Sequence, residues 1–388
     1  MWKKSSLRAL LFTSLVVLFI GGFNYIVDPF DIFDSPKIVG FNANKIETYN
    51  KQRPYKEIKL IRQKPEVVFF GTSRTDRGID PNNKIFFQKS IFNSSINIMT
   101  PIECEYMFDA AIKNGAKHII IGADLFTFYA KESTRDGFDK DAFGDFYALK
   151  YLLSIDALKS SIKTVASKKP TPYLQSGMRN PALSQSECDD IGGHKKIFQG
   201  SEKEYFARFY SKEFNKTQTV HWQAFERILD KAYKNSVKVT IFISPSHARQ
   251  WEVLAITQGW GMFEEYRRRV VAVNEKVASQ NNKPPFALWD FAGYHSLTTE
   301  TVPDDSKAKM KWYWDSSHYK KELGDILLDR MFDGNFSGGQ QYPDFGVKLT
   351  SQNIDSHLAR LRAEREKWRA THPADVAKIE VLKTAKTK

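Results

Sequence analysis

Glu66-Val67-Val68-Phe69-Phe70-Gly71-Thr72-Ser73-Arg74 is an apolar run that breaks at a glycine and at once presents two hydroxyls. A continuous apolar run of this length suits a strand covered on both faces, so it reads as the first strand of a parallel α/β sheet. The glycine and the small hydroxylic pair would hold Ser73 at a sharp turn beyond the strand's carboxyl end, where open parallel sheets bind ligands. A second stretch answers it near the other end of the chain: Trp314-Asp315-Ser316-Ser317-His318-Tyr319. An Asp three residues before a His can place both side chains on one turn, with the carboxylate orienting the imidazole that takes a serine proton. Ser73 therefore reads as a nucleophile, His318 as its base and Asp315 as the group that fixes the tautomer. The alternative is that Thr72-Ser73 and Asp315 merely cap helices.

Strand and helix patterns alternate outward from the first stretch. Strands are expected at Glu66–Phe70, Ser95–Met99, His118–Ile121, Val237–Ile243 and Phe286–Trp289. Helices are expected at Pro101–Asn114, with Pro at the start and Gly115 beyond the end, at Val220–Lys234, and at Lys320–Phe332 behind the Asp-x-x-His turn. The domain spans 63–340 and is interrupted by a long insertion, 125–219. Within the insertion, Tyr147–Ala166 reads as one amphipathic helix and Lys168–Gly200 as loop, and the whole as a lid or a peripheral ornament. Residues 341–388 read as a docked helix over Ile354–Arg369 followed by a frayed basic tail.

The 388 residues carry a formal net charge of +13. Such charge suits nucleic acid, an anionic membrane surface or an acidic glycan. The N-terminus favours the latter two. Lys3, Lys4 and Arg8 precede an uncharged run, Ala9–Val27, about long enough to cross a bilayer, and Asp28, Asp31 and Asp34 follow it. Residues 1–30 read as a single-pass inner-membrane anchor with its N-terminus in the cytoplasm and the remainder outside, away from chromosomal DNA. A cleavable signal peptide is the alternative, although Gly21-Gly22 leads into Phe23 and Tyr25 rather than a small-x-small cleavage site. Residues 31–62, Asn-rich and polar at first, read as a tether. Cys104 and Cys188 could form one disulfide in an exported protein, and no Cys/His cluster has zinc spacing, so no metal is expected. No cofactor is expected either. The sequons at Asn93, Asn215 and Asn335 are short enough to arise by chance.

The Gly-Thr-Ser block and the distant Asp-x-x-His, in this order, resemble the SGNH (GDSL-like) hydrolase superfamily, in particular its membrane-anchored bacterial members that handle acyl groups on envelope polysaccharides, of the alginate-acetylation type. The resemblance covers roughly Glu66 to Phe332. It implies a three-layer, flavodoxin-like parallel sheet and an extracytoplasmic, serine-dependent transferase of an acyl group, in the first instance acetyl, onto a cell-envelope or exported polysaccharide. It also implies a polytopic membrane acyltransferase as partner. A carbohydrate esterase and a catalytically silent glycan-binding or assembly protein are the other readings. The chain departs from the superfamily at the oxyanion hole, where relatives use a glycine after the second strand and an asparagine after the third. Here Asn93-Ser94-Ser95-Ile96-Asn97 has no glycine, and Asp124 stands where the asparagine would. An ionised Asp124 would repel an oxyanion. Either Asn97 donates instead, or Asp124 is protonated, or Asp124 holds Arg74. His247, in Ser244-Pro245-Ser246-His247 after the fourth strand, is a candidate substrate contact or a loop residue. Trp312, Tyr313 and Trp314 could stack on sugars or belong to the core.

Overall fold

The computed structural model describes residues 2–131, 133–135, 137–140, 147–211, 214 and 219–384. Asn215 and the last four residues of the basic tail lie outside them. Two compact units emerge, Met1–Gln63 with Asp136–Leu174, and Lys64–Arg135 with Gln175–Lys388.

The second unit is built on the strand read from Glu66–Phe70. Among the described residues its sheet has six strands, in the order β2-β1-β3-β4-β5-β6. These are β1 (Val67–Phe70), β2 (Ile91–Asn93), β3 (His118–Gly122), β4 (Lys238–Ile243), β5 (Ala287–Asp290) and β6 (Val347–Lys348). The first five run parallel, and β6 pairs antiparallel with β5. Val67–Phe70 is buried at every position, as a strand covered on both faces must be. Val67 and Phe69, with Ile120 and Phe242, join Leu323, Ile326 and Leu327 of a helix over Lys321–Met331. Against the other face lie helices over Pro101–Lys113, Thr219–Lys234 and Trp260–Gln280, which pack on one another. This is the expected α/β sandwich with a predominantly parallel sheet.

The second strand lies four residues earlier than Ser95–Met99. Val67 pairs with Ile91 and Phe69 with Asn93. The Asn93 side-chain oxygen then takes the Ser95 N–H at 3.1 Å. That Asx turn ends the strand. The Pro101–Lys113 helix has the capping box that its sequence carries, Thr100 with Glu103. Lys168–Asn180 is loop as expected, but the rest of Lys168–Gly200 is mostly helical. A helix over Pro181–Ile191 starts on the Asn180 cap with Pro at its first position and ends at Gly192 (φ 99°), and another covers His194–Tyr210. Beyond Ile354–Thr371 a further helix, Pro373–Thr384, replaces the expected frayed start of the tail, with Asp375 bound to Arg249 at 3.1 Å. Cys104 and Cys188 are both free and buried.

The first unit starts with α1, Trp2–Val27, whose stretch Ser5–Val27 is long and apolar enough to cross a membrane. The segment expected to be a tether is folded instead. Asp28 accepts the Ile32 and Phe33 N–H groups at 2.8 and 3.0 Å, Lys45 Nζ caps the helix at the Val27 carbonyl (2.7 Å), and Asp31 and Asp34 both face Lys59. Phe30, Ile32, Ile58 and Ala157 form a small core with Ala148 and Tyr151 around it. The expected single helix Tyr147–Ala166 is two pieces, a 3₁₀ turn over Tyr147–Tyr151 and a helix over Ile155–Ala166 capped by Ser154.

Candidate active site

Ser73 is the first residue of a short helix, Ser73–Gly78, that starts directly beyond β1. Thr72 is its N-cap, accepting the Arg74 N–H at 3.3 Å. The capping expectation thus holds for Thr72, and Ser73 is left to face outward, half-buried. The other stretch is a tight hairpin loop. Tyr313 and Tyr319 bridge in antiparallel fashion, the Trp314 N–H bonds to the His318 carbonyl at 2.9 Å, and the Lys320 N–H to the Trp312 carbonyl at 2.7 Å. A glycine lets the two meet. A Cβ at Gly78 would collide with the Tyr319 ring, so only a residue without a side chain allows the Ser73 helix to lie against this hairpin.

His318 Nε2 lies 2.8 Å from Ser73 Oγ, and His318 Nδ1 lies 2.7 Å from Asp315 Oδ2. The other carboxylate oxygen, Oδ1, accepts the Ser317 and His318 N–H groups at 2.7 and 3.0 Å. Burial works to raise the Asp315 carboxyl, but the adjacent imidazole, the Arg77 charge and these N–H groups prevail and lower it to about 2. An ionised Asp315 accepts a proton-bearing Nδ1, which leaves Nε2 to accept from the serine. Behind the loop, Ser316 Oγ donates to Gln250 Oε1 (3.0 Å) and lies 2.9 Å from Ser201 Oγ.

Asp124 stands two residues beyond β3, after Ala123, whose carbonyl the Tyr266 hydroxyl pins at 2.7 Å. Its carboxylate is buried, accepts the Thr72 hydroxyl, and faces Arg74 Nη1 at 3.7 Å. Of the roles open from sequence, this geometry corresponds to holding Arg74. The Arg74 guanidinium is itself buried, yet Tyr205, Asp124 and Asp315 around it raise its pKa. Asn97 lies in the turn after β2, which the Ile96 N–H ties to the Gly71 carbonyl at 3.1 Å. The Asn93 amide is used elsewhere, donating to the Thr75 and Ile79 carbonyls at 3.0 Å each.

His247 is corrected from substrate contact to a capping and packing residue. Its Nδ1 accepts the Arg249 N–H at 3.2 Å and its Nε2 donates to the Glu300 carbonyl at 2.8 Å, between the rings of Phe198 and Tyr313. Burial lowers its pKa to about 3, which keeps it neutral. Tyr313 and Trp314 are core, and Trp312 is half-buried under Lys311.

Sequence reading missed Tyr205. Its hydroxyl accepts from Ser317 Oγ at 2.9 Å and from Arg74 Nη2 at 3.4 Å, joining the loop of His318 to the residue after Ser73. No local spacing could announce a residue 112 positions from its partner. Beside it opens a basic, ring-lined pocket of about 230 Å³ with Phe126, Tyr129, Lys131, Arg135, Arg208 and Phe214 in its walls. Arg208 there also pairs with Glu204.

Asp124→Asn should destabilise the second unit by about 3–5 kcal/mol, because it strips the compensating charge from a buried guanidinium. Denaturant unfolding of the two proteins measures this. A loss below about 1 kcal/mol would mean that Arg74 does not depend on Asp124.

No protein-family model matches the chain, and no curated protein matches it in sequence. Several solved structures are similar to it, among them two from Bacteroides species. One, from Bacteroides fragilis NCTC 9343, is named as a candidate acylhydrolase. It is 12% identical over 69% of this chain and 86% of its own, with a TM-score of 0.33. The other, a GDSL-like lipase from Bacteroides thetaiotaomicron VPI-5482, is 11% identical over 70% and 89%, with a TM-score of 0.31.

Proposed function

We propose that this chain is a serine-dependent acyltransferase of the SGNH type, anchored in the inner membrane, that places a short acyl group, acetyl in the simplest case, on a polysaccharide outside the cytoplasm. The observation that carries the reading is Ser73 Oγ at 2.8 Å from a His318 whose other nitrogen faces an ionised Asp315. In this reading Ser73 attacks the acyl carbonyl as its proton passes to His318 Nε2, and Asp315 stabilises the imidazolium. The oxyanion rests on the Ser73 N–H with Asn97 as side-chain donor, because Asp124 is committed to Thr72 and Arg74. Collapse expels the donor's leaving group, which takes the proton from His318. A sugar hydroxyl then attacks the acyl-serine as its proton passes to His318, and collapse expels Ser73 Oγ, which takes that proton back and regenerates the site. Water in place of the sugar gives the esterase of the same site.

An acidic or ring-stacking glycan fits the pocket beside Tyr205, whose walls combine Lys131, Arg135 and Arg208 with three aromatic rings. A polytopic membrane acyltransferase as source of the acyl group would account for an apolar helix ahead of a serine-site domain. The test is labelling of the full chain with a fluorophosphonate, followed by peptide mass analysis. The adduct is expected on Ser73. An unlabelled Ser73 under conditions that label a control serine esterase removes the acyl-serine and with it the reading. Supplying an activated acetyl ester with and without an oligosaccharide acceptor then separates transfer, which yields acetylated sugar, from hydrolysis, which yields acetate.

A further inference from the structure

The helix over Ile155–Ala166, α6 in chain order, is turned inside out for a helix in water. Its buried residues are Ala157, Ser160, Ser161 and Thr164, all small or hydroxylic. Two of its large apolar residues face the other way, Ile155 69% and Ile162 57% exposed, with Leu158 and Val165 half-buried between the two faces, and Leu153 (59%) and Leu149 (51%) continue the exposed set into the preceding turn. Ile155, Leu158 and Ile162 recur at i, i+3 and i+7, one stripe roughly opposite the buried one at about 100° per residue. A soluble amphipathic helix places these two sets the other way round. Small residues at the helix–helix contact with large apolar residues outside are instead how helices pack in lipid.

What the small face packs on gives the second observation. Ser161 Oγ donates to Asn24 Oδ1 at 2.9 Å, and the Asn24 amide donates to the Leu152 carbonyl at 2.8 Å. Leu153 lies against Gly21, where an added Cβ would stand 3.3 Å from Leu153 Cδ2. Gly21 and Asn24 fall within the apolar stretch of α1, Ser5–Val27. Gly21 lies about 9 Å along the helix axis from Val27 at ~1.5 Å per residue. The turn before α6 is therefore level with residues of the membrane-spanning segment and not beyond its end. Exposed Lys159 and Lys163 sit to one side of the apolar stripe, where long cationic side chains reach phosphates at an interface.

We infer that α6 and the turn before it lie in the bilayer that α1 crosses, with Leu153, Ile155 and Ile162 in the acyl-chain boundary of the leaflet on the folded side and Lys159 and Lys163 at its phosphates. This rests on the reading of α1 as a retained anchor. The occupant of the apolar face is phospholipid. The first unit is then a membrane-embedded collar around the end of α1, and the small residues of α6 are its seam.

Cys104 and Cys188 are buried, so a single introduced cysteine can be labelled selectively. Ile155→Cys, Ile162→Cys and, as an aqueous control, Lys283→Cys would each carry a nitroxide in the full chain. Each would be reconstituted alone in phosphatidylethanolamine–phosphatidylglycerol vesicles, with mass analysis of the recovered chain. Nitroxides at 155 and 162 should collide with oxygen in preference to a water-soluble nickel chelate, with the preference reversed at 283. Water-like accessibility at 155 and 162 in a chain of intact mass would overturn the inference alone, including the case in which another membrane protein normally covers this face. A chain recovered without residues 1–27 would overturn the anchor and the inference together.

Discussion

Ser73→Ala is expected to lower turnover of a small activated acetyl ester by roughly 10⁴- to 10⁶-fold, since removal of the nucleophile from a serine triad leaves only the contribution of binding and the oxyanion donors. Its unfolding free energy should change by no more than about 1 kcal/mol. The reason lies in how the helix start is built. Thr72, and not Ser73, is the N-cap, and Thr72 is also the residue tied to Asp124. Ser73 occupies the first helical position, where alanine is the better helix former, and among the described residues its one tertiary hydrogen bond is that to His318. The two measurements together separate the competing views of the Gly-Thr-Ser block. A merely structural Ser73 predicts a parent already at the background rate and no change on substitution. Parent and variant with equal, above-background turnover would place the chemistry elsewhere.

The parallel sheet was legible because β1, β3 and β4 are short apolar runs with a break at each carboxyl end, and a doubly covered strand cannot look otherwise. The second strand was misplaced by four residues. Its apolar character is confined to Ile91 and Phe92, and what ends it is a side-chain turn at Asn93 that competes locally with the ladder. The helix over Trp260–Gln280 was not anticipated, although Phe263, Tyr266, Val270, Val273 and Val277 do recur at helical spacing and all are buried. Ser73, Asp315 and His318 could be found because each sits in a local motif. The environment that tunes them could not, because Tyr205, Ser201 and Gln250 reach the site from distant helices with no pattern of their own. His247 misled for the converse reason. A histidine after a strand's carboxyl end looks available, and only the packing of Phe198 and Tyr313 and the two backbone partners show both its nitrogens to be spent. Within Tyr147–Ala166, which is two pieces rather than one helix, Leu158, Ile162 and Val165 do share a side, but the direction of that side depends on what covers it, which spacing does not encode.

Asp315→Asn should lower turnover by about 10⁴-fold while leaving Ser73 and His318 in place, and the argument is one of proton location. In the parent, Oδ1 is held by two backbone N–H groups at 2.7 and 3.0 Å, and Oδ2 accepts from His318 Nδ1. An asparagine must put its carbonyl oxygen on one side and its NH₂ on the other. Facing NH₂ toward the backbone pair would set donors against two donors, at about 1–3 kcal/mol for each buried group left unpaired, whereas facing it toward the imidazole affects one bond. The second arrangement wins, and the NH₂ then donates to Nδ1. The neutral imidazole is left with its proton on Nε2, where it can no longer accept from Ser73. A tautomer-trapped base of this kind costs a serine triad about 10⁴ in rate. Nitrogen NMR of His318 should show the protonated and unprotonated ring nitrogens exchanged between parent and variant. A second signature follows from linkage. The folded Asp315 carboxyl is lowered to about 2, against about 3.9 in an unfolded chain, so it contributes about 2–3 kcal/mol of stability that is fully present above about pH 5 and is lost as pH falls through about 2. Asparagine has no such titration, so the stability difference between parent and variant should shrink by about 2 kcal/mol between pH 5 and pH 2. An unchanged histidine tautomer with full turnover in Asp315→Asn would remove Asp315 from the relay and leave the lowered carboxyl as a feature of the hairpin loop alone.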